Sequence, residues 1–146
     1  MKYIDKPEEN IEYTKRPGSY AFLKREEDDF IAIITCKGEY FLLGGGIEQE
    51  ETVLEALERE VKEEIGYNLK EVEPLSEIGS YFLSKAKGYL NVEAYIHTAK
   101  LNQKLCDPVE IDHALIWINP KDYIGKMSQR WQDEALKEYI KSIGSE

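Results

Sequence analysis

The sequence predicts an α+β sandwich, in which a mixed β-sheet packs with one embedded helix and one C-terminal helix. Two observations support this fold class. Short apolar or β-branched runs, separated by turn signals, recur through most of the chain, and such runs are typical of strands. Two longer segments, one central and one C-terminal, instead repeat apolar residues at helical spacing.

The composition indicates one globular domain that spans residues 1–146, with 42% hydrophobic residues. A formal net charge of −10 makes duplex DNA or RNA an unfavourable partner, although a bound cation still allows a small phosphorylated substrate. Cys36 and Cys106 lack the spacing of a zinc site or a disulfide framework. The charged N-terminus and the absence of a long apolar run lead us to expect a cytoplasmic protein with no membrane contact.

The first half of the chain is predicted to contain a polar N-terminal segment followed by strands. Residues 1–18 are polar and contain turn signals, and strands are expected at 19–23, 30–35 and 40–43. The second of these is almost wholly apolar, as in a buried strand. Three consecutive glycines, residues 44–46, end the third strand.

A helix follows the glycines. Thr52 and Glu55 have the spacing of a capping box, and Gly66 stands where a C-terminal cap belongs. The apolar residues between them predict one buried stripe, formed by Leu54, Leu57, Val61 and Ile65.

The second half predicts strands at 78–83 and 89–98 around a turn, and a short strand at 114–118. Ser128 is expected to cap a final amphipathic helix. The apolar face of that helix comprises Trp131, Ala135, Leu136, Tyr139, Ile140 and Ile143.

The central helix and the loop before it are rich in acid. Eight glutamates lie there: Glu48, Glu50, Glu51, Glu55, Glu58, Glu60, Glu63 and Glu64. Glu60, Glu63 and Glu64 share one helical arc, where like charges repel unless a cation neutralises them. Two interpretations are open, a solvated acidic face and a site for a hard divalent cation such as Mg²⁺. The adjoining apolar stripe and the preceding glycines, whose backbone can approach a metal or phosphate closely, favour the cation site.

The segment from Gly45 to Tyr67 resembles the Nudix box, G-x5-E-x7-R-E-U-x-E-E-x-G-U, where U is apolar. Val61 satisfies the first U, and Tyr67 is an aromatic substitute at the last. Every fixed position of the pattern is filled, by Gly45, Glu51, Arg59, Glu60, Glu63, Glu64 and Gly66. So many specified positions at fixed spacing are far more specific than a lone glycine motif.

The resemblance implies the Nudix-type α/β/α sandwich, with a mixed sheet, one catalytic helix and a C-terminal helix. It also implies hydrolysis of a nucleoside diphosphate linked to another group, with Mg²⁺ or Mn²⁺ as cofactor. Arg59 would orient a glutamate through a charge-assisted pair. Glu51 and Gly66 would complete the structural motif. The metal ligands implied are Glu60, Glu63, Glu64 and a backbone carbonyl of Gly44 or Gly45.

Two candidates remain for the general base. Within the box it is Glu60, and outside the box it is Glu110, on the loop before the strand that carries Trp117. An exposed loop carboxylate is the alternative interpretation of Glu110. His113 on the same loop would orient a neighbour, bind phosphate or simply be solvated, and His97 is expected to be structural.

The substrate depends on residues outside the box. Leu43 replaces the proline that relatives usually have before the glycines, and Phe82 replaces a proline typical of ADP-ribose hydrolases. Tyr81 and Tyr89 bracket a position that often carries tyrosine in dinucleoside polyphosphate hydrolases; either could stack on a base or pack within a strand. Basic and glycine residues expected near phosphates are Lys37, Arg25, Gly45 and Gly46.

Three functions are therefore compared. The first is a hydrolase acting on a small nucleotide-like substrate, with a (d)NTP or dinucleoside polyphosphate preferred. The second is a domain that senses a nucleotide without cutting it, although such domains usually lose box glutamates and none is missing here. The third is an acidic interaction module that binds no metal. Homodimers are common among relatives, so a dimer is a further expectation.

Overall fold

The computed structural model describes residues 1–109 and 112–144. These residues form one mixed sheet, two α-helices and a short 3-10 helix, Pro120–Tyr123. The helices are α1 (Val53–Ile65) and α2 (Arg130–Gly144). The strands are β1 (Lys2–Tyr3), β2 (Thr14–Lys24), β3 (Ile31–Cys36), β4 (Glu39–Phe41), β5 (Leu43–Gly46), β6 (Tyr67–Ser84), β7 (Gly88–Lys104) and β8 (Ala114–Ile118).

The sheet combines parallel and antiparallel pairs. Its main path runs β1-β6-β7-β2-β3-β4, with β5 paired to β2 and β8 paired to β3. The β1–β6 and β2–β7 pairs are parallel, and the others are antiparallel. The predicted mixed sheet is confirmed.

Each face of the sheet is covered by one helix, because side chains alternate between faces along a strand. In β2, Ala21 and Leu23 pack in a cluster with Leu57 and Val61 of α1. The intervening Phe22 belongs to a second cluster on the opposite face, which includes Trp131, Ala135, Leu136 and Tyr139 of α2. The helix–sheet–helix sandwich is therefore confirmed as well.

Helix α1 begins and ends as its sequence predicts. The Thr52 hydroxyl accepts from Glu55 N at 3.1 Å, and the Glu55 carboxylate accepts from Thr52 N at 2.8 Å. Gly66 adopts φ 76° and its N–H donates to Lys62 O. The assignment of Leu54 to the buried stripe is wrong, since Leu54 is 51% exposed and Ala56 is buried instead. The buried face also includes Glu64, which is 8% exposed.

Three strands extend further than their apolar runs predict. β2 starts at Thr14 within the polar N-terminal segment, β6 starts at Tyr67 directly after the Gly66 cap, and β7 continues to Lys104. The register of β6 against β7 shifts three times between Tyr67 and Ser76. Pairing with a neighbouring strand satisfies the backbone of polar residues as well as apolar ones, so these segments need no hydrophobic pattern.

The capping role expected of Ser128 is wrong. Helix α2 starts at Arg130, and the Ser128 hydroxyl donates instead to Glu39 at 3.5 Å. The carbonyl of Gln129 accepts from Gln132 N and Asp133 N, which begins the helix. In the described part of the chain, neither helix is long and apolar enough to cross a membrane.

Candidate active site

The glycine strand β5 lies against helix α1 because antiparallel pairing with β2 brings it there. Gly44 adopts φ 130°, and a Cβ at this position would lie 2.1 Å from the carbonyl oxygen of Ser19. Only glycine therefore fits. The N–H of Gly44 donates to Glu64 Oε1 at 2.9 Å, which ties the strand to the buried carboxylate of α1.

The carboxylate of Glu60 packs directly on Gly45. A Cβ added to Gly45 would lie 2.5 Å from Glu60 Cδ and 2.6 Å from both carboxylate oxygens. Glycine is thus required at position 45 because there is no room for a side chain, and not because of an unusual φ. The two glycines bring the backbone of β5 to two of the three predicted metal ligands.

Arg59 binds the acidic loop to the helix. Its Nε and Nη2 donate to the two carboxylate oxygens of Glu51 at 2.6 and 3.0 Å, in a bidentate pair. Nη2 also donates to Gly46 O at 2.9 Å, and Nη1 donates to Glu60 Oε1 at 3.1 Å. The same Nη1 lies 3.5 Å from Glu63 Oε2. Arg59 therefore touches two predicted ligands, as a residue that orients carboxylates should.

This network shifts the pKa of both partners. The hydrogen bond to Arg59 lowers the pKa of Glu51, and the hydrogen bond to Glu51 raises the pKa of Arg59 further above its already high value. Both groups consequently remain charged at neutral pH. One guanidinium still faces several carboxylates, so the cluster keeps an excess of negative charge.

The acidic cluster fits a hard divalent cation by the chemistry of its donors, since these are carboxylate oxygens. Across residues 1–109 and 112–144, no three acidic, histidine or cysteine side chains converge as they would around a metal ion. Glu60 and Glu63 are turned towards Arg59, and Glu64 is turned towards Gly44. A cation would therefore compete with Arg59 for these oxygens.

A cavity of about 380 Å³ opens beside the cluster. Two cationic side chains, Arg16 and Lys87, line it together with Glu64 and Tyr20. Partial burial and the charge of Arg16 lower the pKa of Lys87, and burial raises the pKa of Tyr20 to about 12. The remaining lining residues are Ile34, Cys36, Phe41, Leu42, Gly44, Gly45, Phe82, Ser84, Leu90, Val92, His113, Gln129 and Gln132.

The segment after β7 is hydrogen-bonded to the C-terminal end of α1. The Gly66 carbonyl accepts from the N–H groups of Leu105 and Cys106, and Glu63 O accepts from Val109 N at 2.8 Å. Further on, His113 Nδ1 is buried 3.8 Å from Glu64 Oε2. Glu110, the loop candidate for the general base, lies outside the described residues.

Several residues expected near the substrate lie elsewhere. Lys37 is exposed in the turn between β3 and β4 and does not line the cavity. Tyr81 stacks on Tyr3 with ring centroids 5.1 Å apart, while the next residue, Phe82, lines the cavity. Arg25 pairs with Asp28 away from the cavity.

Two other expectations concern His97 and Gly46. The ring of His97 is buried with Nδ1 3.1 Å from Tyr20 O, which agrees with a structural role. Gly46 lies outside the cavity lining, and its carbonyl holds Arg59.

The sequence pattern alone did not identify four polar residues of the cavity, Arg16, Lys87, Gln129 and Gln132. Arg16 belongs to the polar N-terminal segment and Lys87 to a hairpin turn, so neither position carries a local sequence signal for a binding site. The glutamines precede or begin a helix, where polar residues are ordinary. Only the packing of α2 and the β6–β7 turn over the sheet brings the four together.

Comparison with known proteins agrees with this geometry. The NUDIX domain model matches residues 14–139. A Caenorhabditis elegans protein that carries the name nudix hydrolase 1 is 28% identical over 120 residues, which cover 78% of this chain and 30% of that protein. The chain thus spans less than a third of the length of this relative.

Solved structures share the fold. A NUDIX hydrolase from Nitrosomonas europaea superimposes with a TM-score of 0.71 at 13% identity, covering 88% of this chain and 90% of that one. A MutT NUDIX hydrolase from Burkholderia pseudomallei has a TM-score of 0.66 at 26% identity, covering 86% and 98%. Since the family model spans most of the chain and the box residues pack as described, this protein belongs to the NUDIX domain family.

Proposed function

We propose that this protein hydrolyses a diphosphate linkage in a small nucleoside-diphosphate-linked substrate, with a (d)NTP or a dinucleoside polyphosphate preferred. The observation that supports it most directly is the packing of Glu60 and Glu64 against the glycine strand, beside a cavity lined by two cationic side chains. The cavity volume lies within the usual range for small-molecule sites.

Members of this family generally use divalent metal ions. We assign Mg²⁺, or Mn²⁺, to the carboxylates of Glu60, Glu63 and Glu64, with a backbone carbonyl of Gly44 as a further ligand. When bound there, the cation would stabilise charge that develops on the phosphates and lower the pKa of a bound water. The excess negative charge of the cluster supports this assignment, because it is the feature that a cation neutralises.

Arg16 and Lys87 are assigned to the phosphates. A Cβ at Gly46 would lie 3.4 Å from Arg16 Nη2, so this guanidinium lies beside Gly46, whose carbonyl accepts from Arg59. The charge of Arg16 and that of Glu60 both act on Lys87. A diphosphate between the cations and the metal would have positive charge on both sides, which favours its binding and the charge of its transition state.

The base that activates the water is either Glu60 or Glu110. Glu60 supports the first choice through its contact with Gly45 and Arg59. For Glu110, the support comes from the flanking residues, since Val109 bonds to Glu63 and His113 adjoins Glu64. A kcat–pH profile of Glu110→Gln beside that of Glu60→Gln separates the two, because loss of the base removes the acidic limb.

The proposal is tested with a panel of (d)NTPs, dinucleoside polyphosphates, ADP-ribose, nucleotide sugars and coenzyme A, each with Mg²⁺ and with Mn²⁺. We expect metal-dependent release of a mononucleotide or phosphate, and a fall in kcat of at least about 10²-fold in Glu60→Gln and Glu64→Gln. Glu58→Gln is the matched control, since Glu58 is an exposed glutamate of the same helix.

Two results would contradict hydrolysis. Nucleotide binding by calorimetry without turnover at any metal concentration would instead support a sensing domain. If calorimetry detects no heat of binding with Mg²⁺ or Mn²⁺ and no substrate is turned over, the metal-free interaction module would be supported.

A further inference from the structure

The side chain of Tyr20 lies along strand β2 because its neighbours on that face of the sheet have no side chains. Gly18 shares the face with Tyr20, and a Cβ at Gly18 would lie 2.6 Å from Tyr20 Cε2 and 2.7 Å from Tyr20 Oη. Across the β2–β5 pair, Gly18 is opposite Gly46 and Tyr20 is opposite Gly44. A glycine within a strand often marks such a close approach. The hydroxyl of Tyr20 therefore lies over Gly18.

Helix α2 holds the ring of Tyr20 in this position. The rings of Tyr20 and Trp131 pack edge to face, with centroids 4.8 Å apart and an interplanar angle of 60°. Trp131 is itself 1% exposed, so it has little room to move. Because the phenol is confined between a buried indole and the backbone of Gly18, the position of its hydroxyl is fixed by packing.

The guanidinium of Arg16 lies over the same pair of glycines. Residues 16, 18 and 20 of β2 share one face, since side chains alternate along a strand. A Cβ at Gly46, the cross-strand partner of Gly18, would lie 3.4 Å from Arg16 Nη2. Arg16 and Tyr20 both line the cavity, and the charge of Arg16 acts to lower the pKa of Tyr20. A neutral donor and a cation are therefore neighbours in the cavity wall.

The hydroxyl of Tyr20 is available to a ligand. Within residues 1–109 and 112–144, it forms no hydrogen bond. Burial raises its pKa to about 12, so the group is protonated at neutral pH and can donate. The charges of Glu60 and Glu64 also act to raise this pKa. The hydroxyl is thus within electrostatic range of both Arg16 and the acidic cluster.

We infer that the Tyr20 hydroxyl donates to a non-bridging oxygen of the phosphoryl group that Arg16 binds. The inference rests on the proposed function and adds an uncharged donor to its phosphate site. An anionic oxygen suits both neighbours, because it accepts from the hydroxyl and its negative charge pairs with the guanidinium. An uncharged base or sugar in this place would leave the guanidinium without a counter-charge.

Tyr20→Phe tests the inference by removing one oxygen while the ring can still pack on Trp131. We expect kcat/KM for the fastest substrate of the panel to fall by about 10- to 100-fold, as for loss of one hydrogen bond to a charged group. The melting temperature should stay that of the parent, since the deleted oxygen has no hydrogen bond within the described part of the chain.

Tyr139→Phe is the matched control. Burial raises the pKa of Tyr139 to about 12 as well, and its ring belongs to the cluster beneath α2, but it does not line the cavity. The same deletion there should leave kcat/KM unchanged. An equal loss in both variants would show that deleting any buried phenol oxygen beneath α2 reduces turnover, and would overturn the inference.

The remaining outcomes separate this inference from the proposed function. If Tyr20→Phe keeps the parental kcat/KM, the hydroxyl does not bind the phosphate and the hydrolase assignment stands. If no substrate of the panel is turned over, calorimetry with inorganic pyrophosphate and Mg²⁺ decides. Binding at least about tenfold weaker in Tyr20→Phe would then support the phosphate contact although hydrolysis is contradicted. Equal binding, or no binding to the parent, would overturn it.

Discussion

Adding a single methyl group at Gly45 should abolish most turnover without unfolding the protein. The new Cβ would lie 2.5 Å from Glu60 Cδ, whereas ordinary contact starts at 3.4 Å, so the carboxylate must retreat by about 0.9 Å. A displacement of about 1 Å in a catalytic group typically costs about 10²-fold in rate. We therefore expect kcat of Gly45→Ala to fall by about two orders of magnitude.

The stability of Gly45→Ala, in contrast, should hardly change. Gly45 is not among the residues with positive φ, and the group that must move is the end of a flexible side chain. Alanine at a compatible glycine position also restricts the unfolded chain. The free energy of unfolding of Gly45→Ala should thus stay within about 1 kcal/mol of that of the parent.

The assay measures initial rates at saturating substrate over a Mg²⁺ titration, together with urea unfolding in EDTA. Gly144→Ala is the control, because a Cβ there meets nothing within 4 Å. If Gly45→Ala kept full activity at the Mg²⁺ concentration that the parent requires, the carboxylate of Glu60 would not lie against Gly45 during turnover. A loss of several kcal/mol would show that Gly45 matters for folding instead.

Two further predictions concern stability. The guanidinium of Arg59 lowers the pKa of Glu51, so the stability from this pair is complete above the ordinary glutamate pKa and is lost as pH falls through the lowered one. Urea unfolding in EDTA should therefore show a smaller loss between pH 5 and pH 3 (roughly) in Glu51→Gln than in the parent, and equal losses would contradict the pairing. Leu57→Ala should cost about 2–5 kcal/mol because Leu57 is 1% exposed, whereas Leu54→Ala at a 51% exposed site should cost far less, and equal costs would contradict the burial of α1.

The acidic part of the candidate site could be located from the sequence because its residues are close in the chain. Helix geometry places Glu60, Glu63 and Glu64 on one arc, and the caps at Thr52 and Gly66 fix where that arc begins and ends. The fold class followed from the same local patterns, since strand and helix periods differ.

The residues that complete the cavity were not predictable from local patterns. Three of them come from distant parts of the chain: Arg16 from the polar N-terminal segment, Lys87 from a hairpin turn and Gln132 from the C-terminal helix. Only long-range pairing brings them together. Tyr81 shows how sharply register decides the outcome. Neighbouring strand residues face opposite sides, so Phe82 lines the cavity and Tyr81 packs on Tyr3.

The sequence by itself determined the sandwich, the acidic helix and the family to which its box belongs, because each depends on spacings within about two dozen residues. The tertiary structure decided which glutamate of α1 is buried and which glutamine of α2 holds the backbone of Leu42. Those features depend on contacts between Gly44 and Glu64, and between Leu42 and Gln132, which are 20 and 90 residues apart. Local periodicity carries no information about such partners, since only chain packing brings them within hydrogen-bonding distance.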